Sequence, residues 1–139
     1  MWSDMESIDE WTRKGYSQYE QRNFHEAIEC YNKSLAINSK NTRTLLLKGN
    51  ALQGLKKFDE AIKCYDQTLQ IVPESVDLLI VTLQCKRTCF AELDKYDEAY
   101  ECNERILAIN PNFEDALEHK EYYNEYFFDS DDDEPLGYE

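Results

Sequence analysis

The chain has 139 residues and a formal net charge of −14. Its length predicts one domain, which buries roughly two thirds of the surface that the unfolded chain exposes. Nucleic-acid binding needs basic groups that neutralise phosphates, so this composition argues against a nucleic-acid partner. No apolar run approaches the roughly 20 residues that span a bilayer, so we expect no membrane partner.

The cysteine count bears on the compartment. Five cysteines is an odd number, and the sequence starts without the basic and apolar regions of a secretion signal. Reduced thiols are then the expected state. We therefore predict a cytoplasmic protein.

One pattern of sixteen residues occurs three times along the chain. Its copies start at Phe24 (FHEAIECYNKSLAINS), Phe58 (FDEAIKCYDQTLQIVP) and Tyr96 (YDEAYECNERILAINP). The first two copies start 34 residues apart and the last two 38 apart, which is the same period plus one helical turn. Such a period is typical of a solenoid, whose units are too small to bury their own apolar faces and stack on one another.

The region before each copy predicts a helix that pairs with it. Ser7 and Glu10 have the spacing of a capping box, so we expect the first helix to begin at about Ile8. Gly15 and Gly49 fall at one phase of the period, in the middle of two such helices, where glycine costs about 1 kcal/mol relative to alanine. This repeated cost predicts a neighbouring helix that packs too close for a side chain.

The third repeat has four extra residues in its first helix. Counted forward, the position of the two glycines falls at Leu83, and counted back from the third copy it falls at Arg87; both alignments stay open. The insertion predicts the longest helix of the protein, over about residues 74–93. Its apolar run LLIV at residues 78–81 suggests a second contact.

The C-terminal end divides into a helix and a tail. Residues 113–127 carry an apolar stripe that includes Ala116, Leu117 and Tyr123, which predicts a last helix. Residues 129–139 hold six acidic groups and little to bury. We predict that this tail is disordered and that folding does not need it.

The three units resemble tetratricopeptide repeats (TPR). That family has a large residue at position 4, Gly at 8, an aromatic residue at 17, Ala at 20, an aromatic residue at 24, a small residue at 27 and Pro at 32. The matching residues are Trp11, Gly15, Phe24, Ala27, Tyr31 and Ser34, then Leu45, Gly49, Phe58, Ala61, Tyr65, Thr68 and Pro73, then Tyr96, Ala99 and Pro111. In the third unit Asn103 replaces the second aromatic residue and Ile106 the small one.

The resemblance implies an all-α TPR helical solenoid with three helix-turn-helix repeats plus a C-terminal capping helix. It implies a single TPR domain over residues 1–128, followed by the disordered acidic tail. Its parts are repeats at 8–41, 42–75 and 76–113 and a capping helix at 114–128. Such a helix covers the packing face that the final repeat would otherwise expose.

No set of residues in the sequence predicts catalysis. Cys30, Cys64 and Cys102 share one position of the repeat, which favours packing over a site. Cys85 and Cys89 lie one helical turn apart and suit either small core thiols or a metal or redox pair, although a structural zinc site needs four ligands. We predict no enzyme activity, no cofactor and no metal site; a helical enzyme is an alternative without a constellation of residues to support it.

A binding function is the leading prediction. In TPR proteins the first helices line a concave groove, so the resemblance implies a scaffold or adaptor that binds a partner segment there. The predicted groove residues are Thr12, Tyr16, Tyr19, Arg43, Leu46, Asn50, Gln53 and Gln84. Such side chains combine apolar area with hydrogen-bonding groups, a usual composition of binding surfaces. An ordinary solvated face is the alternative.

The family also contains domains that hold the C-terminal carboxylate of acidic chaperone tails in a clamp of lysine, arginine and asparagine. At the clamp positions this chain has Thr12, Tyr16 and Leu47, then Asp77 with Val81 or Val81 with Cys85, depending on the alignment. A carboxylate there would lose water without meeting an opposite charge. We therefore predict a partner protein or peptide segment that is neutral or basic.

Self-association is the rival function. The long third-repeat helix and the aromatic C-terminal helix would then bury against a second copy, as in a structural or assembly protein. The expected oligomeric state is a monomer or a weak homodimer.

Overall fold

A computed structural model describes residues 4–71 and 75–128, and side chains from Ser7 onward. The helices in these residues are α1 (Asp4–Glu20), α2 (Phe24–Ile37), α3 (Thr42–Gly54), α4 (Phe58–Gln70), α5 (Val76–Glu92), α6 (Tyr96–Ile109) and α7 (Glu114–Tyr126). The described residues contain no strand, and the predicted all-α class is confirmed. The predicted acidic tail at residues 129–139 and the repeat end at Pro73 lie outside the described residues.

Three similar turns join α1 to α2, α3 to α4 and α5 to α6. The turn residues Arg22, Lys56 and Asp94 have φ values of 65°, 63° and 60°, in the left-handed region. The N–H of the following residue donates to a carbonyl five residues earlier, at 2.8 or 2.9 Å. This geometry ends each first helix and reverses the chain in the same way in every repeat.

The first helices of the repeats form one layer. Each helix packs on its neighbours in sequence, and α3 also contacts both α1 and α5. Within residues 4–71 and 75–128, the second helices α2, α4 and α6 make no comparable contact with one another. The layer of α1, α3 and α5 therefore forms one face of the array, the inner face, and α2, α4 and α6 lie on the other side.

Close packing within the first two pairs explains the glycines of α1 and α3. A Cβ atom at Gly15 would lie 2.5 Å from Cε1 of Tyr31, and one at Gly49 would lie 2.5 Å from Cε1 of Tyr65. Carbon atoms cannot approach that closely, so each tyrosine ring rests on bare helix backbone. The predicted close approach is confirmed.

The core consists of three apolar clusters along the array, each joining a helix pair to the next element. The first contains Ala27, Tyr31 and Ala51; the middle one contains Leu46, Leu52, Ala61, Cys64, Tyr65 and Cys89; the third contains Ile80, Leu83, Ile106 and Ala116. Stability in such an array comes from these shared interfaces between neighbouring units. No helix of the described residues has the length and apolar content that a membrane span requires.

The first helix begins before the predicted capping box. It starts at Asp4, so Ser7 lies inside it and the expected start at Ile8 was wrong. Serine costs only about half a kcal/mol inside a helix, and tertiary contacts readily outweigh that amount. Here Ile8 is buried and its carbonyl accepts a 3.4 Å hydrogen bond from the hydroxyl of Ser34.

The four extra residues lengthen α5 without interrupting it. The helix has 17 residues against 13 in α3, but α1 also has 17, so α5 shares the greatest described length. Its apolar run makes the predicted second contact. Leu78 packs against the middle cluster, whereas Leu79 and Ile80 belong to the third one, with Ala116 of α7.

The last helix packs through a narrower stripe than the sequence predicts. Ala116 and Tyr123 are buried, but Leu117 is 44% exposed. Successive residues lie about 100° apart around a helix, so Leu117 turns away from the side that Ala116 places against the array. The expectation that Leu117 faces inward was wrong.

Candidate partner-binding groove

Two tyrosines of α1 form the first part of the inner face of the array. Tyr16 is 45% exposed and stacks on Tyr19, with 6.0 Å between ring centroids. Tyr19 is half-buried because its ring also meets Phe24 edge to face, at 5.5 Å. The stack leaves one accessible aromatic ring held in place by a second.

Amides of α3 form the next part of the face. The Tyr65 hydroxyl donates to Asn50 Oδ1 at 2.6 Å and lies 2.9 Å from Gln53 Oε1. Burial raises the pKa of Tyr65 far above its usual range, so the hydroxyl remains a donor. The Tyr65 hydroxyl of α4 thereby holds the side chains of Asn50 and Gln53 in place, and both side chains remain partly exposed.

Two predicted groove residues contribute mainly to packing. Thr12 Oγ1 lies 3.0 Å from both Ser34 Oγ and Thr44 Oγ1, in a network of hydroxyls between α1, α2 and α3. Leu46 is only 7% exposed and belongs to the middle cluster. The repeat positions of Thr12 and Leu46 predicted correctly that both lie on first helices, but they did not predict how deeply the side chains are buried.

The remaining two predicted residues lie near the ends of the face. Arg43 is exposed at the start of α3, where it lines a cavity together with Asp9 and Lys40. Gln84 of α5 is half-buried, and its Nε2 donates to Asp115 Oδ2 at 3.1 Å.

The first repeat holds a buried hydroxyl that differs from its counterpart in the second. Tyr31 corresponds to Tyr65, but its hydroxyl has no hydrogen-bonding partner among the residues that the structure describes. The positions of Asn50 and Gln53 are occupied in the first repeat by Tyr16 and Tyr19. Substitution of two amides by two rings therefore removes the acceptors that Tyr65 uses.

The third repeat replaces the glycine and tyrosine pair by a polar pair. Arg87 Nη1 donates to Asn103 Oδ1 at 2.7 Å, and both residues are buried. Arg87 therefore meets Asn103, at the tyrosine position, as Gly15 meets Tyr31 and Gly49 meets Tyr65. This contact selects the alignment that places Arg87, not Leu83, at the glycine position.

The polar pair also ties the third repeat to α7. Arg87 Nη2 donates to Asp115 Oδ2 at 2.9 Å, and Asn103 Nδ2 donates to the carbonyl of Ala116 at 2.8 Å. Partial burial raises the pKa of Asp115, but hydrogen bonds from Arg87 and Gln84 and the charge of Arg87 outweigh it. The pKa of Asp115 therefore lies below its usual range.

Because the folded-state pKa of Asp115 is lowered, its carboxylate stabilises the fold above its unfolded pKa and loses this effect as the pH falls. We expect Asp115→Asn to lower stability near neutral pH, and the difference from the unchanged protein to shrink below about pH 4. Urea unfolding followed by circular dichroism across this range measures it. Glu121→Gln, which removes an exposed charge on the same helix, should show no such change; an equal trend in both variants would contradict the assignment.

A cavity of about 500 Å³ lies between the C-terminal end of α5 and the middle of α7. Its lining residues are Arg87, Thr88, Ala91, Glu92, Tyr96, Glu118, His119, Tyr122 and Tyr123. This cavity was not predicted from the sequence, because α7 was expected only to cap the last repeat. One feature of the sequence could have indicated it. Thr88 and Glu92 occupy the same repeat positions as Tyr16 and Glu20, which belong to the predicted groove face.

All five cysteines are free thiols, and burial raises the pKa of the four that lie on α4, α5 and α6. Burial raises the pKa of Cys89 to about 12 and that of Cys102 to about 11. Burial also raises the pKa of Cys85. Thiolates are the nucleophilic and metal-binding form, so these thiols are poorly suited to either role. No group of three or more metal-ligating side chains occurs in the described part of the chain.

Comparison with known families gives a match over the first two repeats. The sequence model described as tetratricopeptide repeat matches residues 8–41 and 42–75. No curated protein gives a significant match.

Several solved structures have the same fold. The N-terminal domain of stress-induced protein-1 from C. elegans has a TM-score of 0.80 and 15% identity, and the match covers 88% of this chain and 98% of that one. The Arabidopsis OM64 TPR domain has a TM-score of 0.76 and 18% identity, covering 89% and 99%. The second TPR domain of human RPAP3, solved in complex with the HSP70 peptide SGPTIEEVD, has a TM-score of 0.75 and 19% identity, covering 86% and 97%.

At sequence identities below 20%, the similarity to these structures establishes only a shared fold. The match of the sequence model to residues 8–41 and 42–75 identifies the repeat. Both point to the same family, and the glycine and tyrosine contacts of the first two repeats give its sequence pattern a structural reason. Residues 8–41 and 42–75 are tetratricopeptide repeats, and the described array has the fold of TPR domains.

Proposed function

We propose that the chain is a protein-interaction module that binds a segment of another protein along its inner groove. The observation that carries this proposal is the row of accessible aromatic and amide side chains on α1 and α3, led by the exposed ring of Tyr16. The RPAP3 domain holds a peptide on a similar fold, which supports a peptide partner. The module then acts as a cytoplasmic scaffold or adaptor, without catalysis or a cofactor.

The predicted groove residues have two roles in this proposal. Tyr16, Tyr19, Arg43, Asn50, Gln53 and Gln84 contact the partner. Thr12 and Leu46 hold the inner helices in place through hydroxyl contacts and apolar packing. The proposal thus keeps all the predicted positions but assigns direct contact only to accessible side chains.

The chemistry of the inner face favours a neutral or basic segment over an acidic tail. With the third repeat aligned on Arg87, the clamp positions are Thr12, Tyr16, Leu47, Val81 and Cys85, and none is basic. Arg87 itself is bound to Asp115 and is not available to a second carboxylate. A bound carboxylate would therefore lose hydration without an opposite charge.

A partner can be captured from an extract of the native organism and its affinity compared between variants. We expect Tyr16→Ala combined with Val81→Ala to weaken binding about tenfold, because both remove exposed apolar area from the inner face. Ile37→Ala combined with Leu117→Ala removes exposed apolar area from α2 and α7, outside the three inner helices, and should leave the affinity unchanged. Equal affinities for both double variants would place the binding site outside the groove.

A separate measurement tests the alternative that the partner is a peptide with an acidic C-terminus. We expect no binding when the protein is titrated with the peptide SGPTIEEVD in calorimetry. Micromolar binding that weakens when the terminal carboxylate is amidated would contradict the proposed partner class.

Self-association is a second candidate function, favoured by aromatic side chains at the end of α7. Tyr122, Tyr126 and Phe127 are all exposed, and such clusters often mark interaction surfaces. Size-exclusion chromatography with light scattering tests it. A mass that stays monomeric at every concentration excludes this candidate, whereas a dimer that dissociates in Tyr126→Ala supports it.

A further inference from the structure

We propose that the cavity between α5 and α7 binds the positively charged side chain of a lysine or arginine in the partner segment. This inference rests on the proposed function, since it specifies what the partner must carry at one end of the groove. The cavity is called the cation pocket below and consists of the nine lining residues named above.

The cation pocket lies where the groove continues. Thr88, Ala91 and Glu92 of α5 occupy the repeat positions that Asn50, Gln53 and Gly54 occupy in α3. On the other side, Glu118, His119 and Tyr122 of α7 face the same space. A segment laid along the inner helices would therefore bring its side chains to this pocket.

Aromatic rings form much of the pocket wall. Tyr122 is 50% exposed and stands 6.0 Å from buried Tyr123, with an angle of 62° between the rings. Tyr96 stacks on Phe127 at 4.0 Å and donates its hydroxyl to Asp94 Oδ1 at 3.0 Å, which fixes that ring. A cation held over the accessible face of a ring such as that of Tyr122 is attracted by the negative face of its π-system.

The charge of the pocket points to the same ligand. Glu92 and Glu118 line it and form no ion pair with any residue that the structure describes. Arg87 is already engaged with Asp115 and Asn103, and His119 Nδ1 lies 2.9 Å from the Asp115 carbonyl. The accessible charged groups of the pocket that remain free are thus two carboxylates, which attract a cationic side chain and repel an anionic one.

A single amino-acid derivative tests the pocket without a known partner. The probe is Nα-acetylarginine methylamide, titrated into the ¹⁵N-labelled full chain at physiological ionic strength. We expect amide shifts concentrated at the end of α5 and the middle of α7. The matched probe is the citrulline derivative, which has nearly the same shape without the charge and should bind about fivefold more weakly or not at all.

Two charge-matched variants separate the pocket from the general acidity of the protein. Glu92→Gln with Glu118→Gln should weaken arginine binding about fivefold. Glu26→Gln with Glu29→Gln removes the same charge from exposed positions on α2 and should leave binding unchanged. Tyr122→Leu should weaken the arginine probe, whereas Tyr122→Phe, which keeps a ring, should not.

The outcomes distinguish this inference from the proposed function. Absence of arginine binding, equal binding of citrulline, or equal loss in both glutamine variants overturns the cation pocket. None of these results would alter partner capture that depends on Tyr16 and Val81. Conversely, arginine binding at the pocket with capture insensitive to Tyr16 and Val81 would keep the pocket and reject the groove.

Discussion

Replacing Tyr65 by alanine should lower the free energy of unfolding by about 4 kcal/mol, the largest single effect expected in this chain. Tyr65 is fully buried in the middle cluster, where its ring packs directly on the backbone at Gly49. Because the middle cluster joins the second repeat to α5, the loss should affect unfolding of the whole array. Urea unfolding followed by circular dichroism measures it.

Two phenylalanine variants separate the ring from its hydroxyl. Tyr65→Phe keeps the ring and loses the hydrogen bond to Asn50, so we expect a loss of about 1 kcal/mol. Tyr31→Phe removes a buried hydroxyl without a partner in the described residues and should be neutral or stabilising. Equal losses in the two variants would show that the amides of α3 do not distinguish the repeats.

The fold could be predicted because its determinants are local and repeated. Gly15 and Gly49 recur at one phase, each opposite a tyrosine of the next helix, and that recurrence fixes both the pairing and the spacing of the first two repeats. The insertion of four residues also indicated a continuous longer helix, since four residues nearly preserve helical phase. Periodicity was therefore sufficient wherever the repeats agree with one another.

The candidate site was less predictable because it depends on contacts between elements. Thr12 and Tyr16 lie one turn apart on the same face, yet Thr12 bonds to hydroxyls of α2 and α3 while Tyr16 remains exposed. The position of a residue in the repeat predicts which face of the helix it occupies. How deeply its side chain is buried depends on the neighbouring helix. The pocket between α5 and α7 is harder still, since α7 matches no repeat pattern that would have aligned Tyr122 with the groove.

Arg87 should be the most sensitive position of the third repeat. We expect Arg87→Ala to lower the free energy of unfolding by about 3 kcal/mol, because it leaves the buried Asn103 Oδ1 without a donor and removes one of the two side chains that donate to Asp115 Oδ2. Asp115 is 37% exposed and can recover some hydration, so the loss is smaller than for a fully buried ion pair. Urea unfolding gives the value, and weaker amide protection in α7 than in α3 would locate it.

The double variant Arg87→Gly with Asn103→Tyr tests the cause of this sensitivity. It restores the pair that the first two repeats use, with a ring resting on bare backbone, as Tyr65 does on Gly49. Asn103→Tyr alone should be severely destabilising, because the new ring and the arginine would compete for one space. We expect the double variant to be more stable than that single variant by about 2 kcal/mol, although it loses the hydrogen bond from Asn103 to Ala116. If the two substitutions are instead additive, the arginine and asparagine are independent replacements and not a substitute for the glycine and tyrosine contact.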